Sequence, residues 1–110
     1  MTAEKADIMA RPLNLADLLI YQDGAVISRT LIDKKVGTIT VFAFAEGEGL
    51  SEHTAPFDAF VQIIDGSAEI TIAGVAHTVE AGRFIILPAG QPHALRALTR
   101  FKMLLVMIRA

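Results

Sequence analysis

The chain has 110 residues, 53% of them apolar, and a formal net charge of −2. That length suits one domain with one core, and a balanced charge without a basic stripe argues against nucleic acid as a partner. The absence of cysteine excludes disulfides and thiolate chemistry, and the longest apolar run, Met103 to Ile108, is far too short for the ~20 residues of a membrane span.

Residues 1–11 are polar and mixed in charge and read as a loose arm. They lack the apolar segment of a secretory signal, so a cytoplasmic location is the expectation. Pro12 to Leu19 has room for a helical turn, with Asn14 as its cap and Asp17 three residues on. From Gly24 the pattern changes to period two. Ala25 to Ile32 reads as a strand, Asp33-Lys34-Lys35 as a turn, and Val36 to Ala45 as a longer strand rich in β-branched and aromatic residues. Glu46-Gly47-Glu48-Gly49 breaks it. Phe57 to Ile64 is the next strand, closed by the hairpin signal Asp65-Gly66. Glu69 to Ile72, His77 to Val79, Phe84 to Leu87, His93 to Leu98 and Phe101 to Ile108 follow, separated by short turns. Short strands, close turns and no long helical period predict an all-β sandwich or barrel. The division is an N-terminal arm, 1–23, and a barrel, 24–110.

Two stretches carry more than fold. Gly47-(x)5-His53 leads on to Gly66, and Gly82-(x)5-Pro88-x-Gly90-(x)2-His93 follows. Glycines here suit turns that need positive φ, and Pro88 suits a strand end where no ladder donor is required. The combined spacing resembles the two-part signature of the cupin family, whose first half reads G-(x)5-H-x-H-(x)3,4-E-(x)6-G. The form His53-Thr54-Ala55-Pro56-Phe57-Asp58 is similar to that of small single-domain cupins. The resemblance covers roughly residues 36–108 and implies a double-stranded β-helix, the cupin jelly-roll barrel.

In that family two His-x-His nitrogens, an acidic or amide oxygen and a late histidine converge on one divalent ion. The resemblance therefore makes His53 and His93 metal ligands. It also shows the set to be incomplete, because Ala55 stands at the second histidine and Ala59 at the oxygen ligand. Two imidazoles are fewer than the three protein ligands a catalytic metal usually keeps. Asp58 lies one residue off the ligand register and would need a bulge to turn inward. The expectation is no firmly held cofactor, with a divalent transition metal at low occupancy. Gln62 should face the opposite side of its strand from residue 59.

His53 should share the inward face with position 55, and His93 should enter from a strand across the barrel. Two ligands shortened to alanine leave volume that is costly to keep empty. Val61, Ile63 and Leu95, with Met103 or Met107, are the candidate apolar lining. His77 begins a hairpin strand and is given no role. Glu46, Glu48 and Glu52 read as a solvated loop. Phe42, Phe44, Phe57, Phe60 and Phe84 read as core or interface.

Three functions follow. The first is a binding module that holds a small polar or carboxylate-bearing molecule on His53 and His93. The second is a metal-dependent dioxygenase, isomerase or lyase with a depleted site. The third is a ligand-free oligomeric structural or regulatory module. Phe101 to Ile108 is apolar on both faces apart from Lys102. A strand of that kind must be covered on both sides, so a homodimer is expected.

Overall fold

The computed structural model describes residues 7–109. Among them are a 3-10 turn, Leu15–Asp17, and nine strands: β1 Val26–Lys34, β2 Gly37–Phe44, β3 Gly49–His53, β4 Ala59–Asp65, β5 Ser67–Ile72, β6 Val75–Glu80, β7 Phe84–Leu87, β8 His93–Ala97 and β9 Phe101–Ile108. They pair antiparallel into two sheets, ordered β1-β2-β9-β4-β7 and β3-β8-β5-β6. These two sheets form the all-β barrel that the strand and turn spacing predicts, in the jelly-roll form that the family resemblance implies.

Period-two patterning decides which residues fill it. Along β4, Ala59, Val61 and Ile63 are buried, whereas Phe60, Gln62 and Ile64 between them are half-buried. Phe44 and Phe101, register partners on β2 and β9, stack with centroids 4.3 Å apart and are fully buried. Around them pack Ile63, Ile70, Val61 and Met103. Each such side chain contributes roughly 1.5–3 kcal/mol by leaving water.

Two turns have specific residue requirements. Gly66 closes the β4–β5 hairpin with φ +79, and a Cβ there would collide with the Arg100 carbonyl oxygen. The β5–β6 hairpin turns through Ala73 and Gly74, both with positive φ (49 and 81). That is the sign pattern of a type I′ turn, with alanine in a place that favours asparagine or glycine. The Ala73 N–H donates to the Pro92 carbonyl at 2.8 Å, tying this hairpin to the loop before His93.

Most strand bounds differ from the sequence reading by one or two residues, and two differences matter for the fold. β1 runs on to Lys34, and its turn is Lys35-Val36, because a register shift between Thr30 and Ile32 absorbs an extra residue. The segment after Gly47 is itself a strand, β3, and not only a break. Gly49 makes this possible: its backbone lies so close to the Leu95 carbonyl that a Cβ would overlap it. β3 is thus seated directly against β8.

The arm covers part of the outer face of the five-stranded sheet. Asn14 caps the 3-10 turn by accepting from the Ala16 N–H. Lys102 is 9% exposed, and its Nζ donates to the Ala16 carbonyl at 2.5 Å. The Tyr21 hydroxyl donates to Asp65 Oδ2 at 2.5 Å, and its ring lies within 4.6–4.8 Å of the Arg100 and Lys102 cations. Val41 and Ala43 point outward with Lys102 and are nonetheless buried. Cover for this end of β9 therefore comes from within the chain, where the sequence reading assigned it to a partner. Farther along the face, Phe84, Ile86 and Ile108 remain exposed.

Candidate functional site

A cavity of about 120 Å³ lies between the two sheets. The five-stranded sheet lines it with Ala59, Val61, Leu87, Met103, Leu105 and Met107, and the four-stranded sheet with Leu50, His53, His93 and Leu95. Ala55, in the loop between β3 and β4, completes the wall. Apart from the two imidazoles, the lining side chains are hydrocarbon or thioether.

The histidines come together through strand pairing. His53 ends β3, His93 begins β8, and the two are register partners. His93 thus enters from the adjacent strand of the same sheet and not from across the barrel, because Gly49 lets β3 pair with β8 along its length. The rings meet edge to face at 69° with centroids 4.3 Å apart. Their Nε2 atoms are 3.1 Å apart.

The other ring nitrogens fix the protons. His53 Nδ1 lies 2.7 Å from the Ser51 carbonyl and His93 Nδ1 3.2 Å from the Gln91 carbonyl. A carbonyl oxygen only accepts, so both Nδ1 atoms carry hydrogen. In two neutral rings both Nε2 atoms would then present lone pairs to each other. A hydrogen bond at 3.1 Å needs a proton on one Nε2, and either ring can supply it. His93 is 6% exposed, whereas His53 reaches solvent. Burial pushes His93 below the usual histidine range; the Gln91 carbonyl opposes this and the charge on His53 adds to it.

The metal-ligand set that the spacing implies is not assembled. Ala55 and Ala59 both line the cavity and offer it methyl groups. Asp58 does not reach it. Its Oδ1 accepts from the Ala89 N–H at 2.8 Å, and the residue is exposed. This bond ties the start of β4 to the loop before β8 and holds the carboxylate outside, so the inward bulge considered for Asp58 does not form. Among the described residues no group of three or more histidine, cysteine, aspartate or glutamate side chains is gathered to hold an ion. Two imidazoles and two methyls do not fit a firmly held divalent metal.

Of the other residues expected to line the cavity, Val61 and Leu95 do, and so do both Met103 and Met107. Ile63 does not. It lies two residues farther along β4 than Val61 and is fully buried in the core beyond the cavity floor. Gln62 faces outward and borders a groove beside Pro12 to Leu15. His77 is exposed, and Glu46, Glu48 and Glu52 do not line the cavity. Phe60 and Phe84 stack on the outer face at 5.0 Å.

Leu50, Leu87 and Leu105 were missed. Leu50 belongs to the strand hidden by the glutamates and glycines around it. Leu87 and Leu105 were legible in principle. Leu105 has the parity of Met103 and Met107, and Leu87 is the register partner of Ala59.

Residues 40–109 match the family of the Cupin domain. A conserved protein of unknown function from Streptococcus pyogenes is 40% identical over 92% of this chain and 89% of its own, with a TM-score of 0.88. A cupin superfamily protein from Desulfitobacterium hafniense is 32% identical over 92% of this chain and 93% of its own, with a TM-score of 0.87. A cupin 2 conserved barrel domain protein from Leptotrichia buccalis is 37% identical, with a TM-score of 0.85; the match covers 87% of this chain and 47% of that one. No curated protein matches.

Proposed function

The chain belongs to the cupin family, and on that premise we propose that it is a binding module. It holds a small polar or carboxylate-bearing molecule against His53 and His93 and carries out no metal-dependent reaction. One observation carries this reading. Two imidazoles whose Nδ1 atoms are committed to backbone carbonyls face each other at 3.1 Å at the wall of an apolar cavity. A few convergent polar groups in an otherwise apolar cavity make the usual composition of a small-molecule site. A carboxylate entering there takes the place of the Nε2–Nε2 contact and accepts from an imidazole N–H.

The test is an NMR titration of the histidine ring signals with small carboxylates. Binding should move the His53 and His93 resonances and leave exposed His77 unmoved. Uniform response of all three, or none, would remove the basis for the assignment.

A second reading has one observation in its favour. Both Nε2 atoms converge on one point, as they would around a metal ion. A metal-dependent dioxygenase, isomerase or lyase would have to complete the set with donors from its substrate. Metal analysis, argued below, separates the two.

A further inference from the structure

We propose that the floor of the cavity is a seat for a compact neutral hydrocarbon, no larger than a six-carbon ring, held among Val61, Leu87, Leu95 and Met103. The seat goes beyond the binding reading above, because it is complete while His53 and His93 remain bonded to each other.

Polar satisfaction sets the chemistry. The Nδ1 atoms of His53 and His93 are committed to the Ser51 and Gln91 carbonyls, and the two Nε2 atoms to each other. The Ala55 carbonyl, in the loop that completes the wall, accepts from the Gly90 N–H at 2.8 Å. Among the described residues no buried side-chain nitrogen or oxygen is left without a partner. The remaining side chains of the lining are hydrocarbon, with the weak thioethers of Met103 and Met107. A bound water needs about two to four polar partners, and the side chains here have none to spare. A polar group on a ligand would likewise lose its hydration and gain no bond. A molecule without polar groups has no such loss and gains the lining as contact surface.

Volume sets the size. The cavity measures about 120 Å³, and an apolar cavity of about 150 Å³ takes up benzene. A single six-carbon ring is thus the upper limit, and a fused pair of rings is excluded. Ala55 and Ala59 leave this room, since a longer side chain at either would occupy it. Met103 and Met107 bring unbranched, polarizable side chains to the lining, and a thioether sulfur packs favourably against an aromatic ring. Benzene is accordingly the matched probe.

NMR titration of the full chain with benzene, phenol and naphthalene, read at the methyl signals of Val61, Leu95 and Met103, tests this. Benzene should move all three saturably, and naphthalene should move none. Phenol should bind roughly tenfold or more weakly than benzene, the cost of about one hydroxyl left without a partner. Absence of a saturable benzene shift overturns the seat; the binding reading then still stands if small carboxylates move the His53 and His93 ring signals. Benzene binding with histidines that ignore carboxylates supports the seat and removes the binding reading. Phenol matching benzene would reveal a free polar partner and overturn the neutral assignment. Naphthalene matching benzene would overturn the size. Ala59→Leu fills the cavity from β4 and should abolish the benzene shift. Ala55→Val fills it from the loop and should do the same, so the test survives if one variant fails to fold. Unchanged benzene binding in either folded variant overturns the proposed seat.

Discussion

His53 stands opposite His93 in the β3–β8 ladder, and their Nε2 atoms lie 3.1 Å apart. Neither ring anchors a turn. His53→Ala and His93→Ala should therefore fold, each losing about 1–3 kcal/mol for two hydrogen bonds, with His93 the costlier because it is buried. Both should weaken the binding of small carboxylates. Denaturant melts and calorimetry on the two variants check this. A loss of several kcal/mol with no effect on any ligand would make the pair structural.

As purified, the protein should carry well under one equivalent of transition metal, because two of four ligand positions present methyl groups. Ala55→His with Ala59→Gln restores the family pattern and should raise metal affinity. Both added side chains would enter the cavity, so the double variant should also lose room for a small-molecule ligand. Elemental analysis after dialysis decides it, and a stoichiometric metal in the unmodified protein would revive the enzyme reading.

Stability should fall as the medium is acidified. His93 has its folded-state pKa lowered by burial, so the unfolded chain binds the proton more readily. Stability then rises with pH wherever the unfolded state holds more protons. For this group the penalty is absent well above the usual histidine value near 6.5. It grows as pH drops through that value toward the lowered one, and is constant below it. Thermal melts across that range should show the decline, and His93→Gln should flatten it. A melting temperature indifferent to pH in the unmodified protein would contradict the burial argument.

A homodimer is the expected assembly in solution. The arm's Ala16 carbonyl accepts from Lys102, yet Phe84, Ile86 and Ile108 are 59%, 46% and 60% exposed on the same face. A second copy across a twofold axis can cover both patches at once. Light scattering at micromolar concentration should give twice the 11.8 kDa chain mass, and Phe84→Glu should shift the population to monomer. A monomer at all concentrations would leave that face to another partner.

The sequence showed most of the fold because strand and turn signals agree. Phe84–Leu87 and Phe101–Ile108 fall at their predicted bounds, since Gly82, Pro88 and Arg100 stop them. β3 was illegible: Glu48, Ser51 and Glu52 give it no apolar alternation, and it exists because Gly49 lets it dock on β8. The site was legible as residues and not as geometry. Spacing identified His53 and His93 but placed them on opposite walls, because pairing between β3 and β8 is a long-range fact with no local mark. Asp58 was unresolvable for a related reason. Its direction is set by the Ala89 N–H, 31 residues away.

The β5–β6 turn offers a way to engineer this protein. Ala73 holds a left-handed conformation that costs an ordinary residue about 1–2 kcal/mol, and its N–H reaches the Pro92 carbonyl one residue before His93. Ala73→Gly or Ala73→Asn relieves that cost and keeps the backbone donor. Thermostability is thus adjustable at a position outside the cavity lining, leaving Ala55 and Ala59 free for redesign of the site.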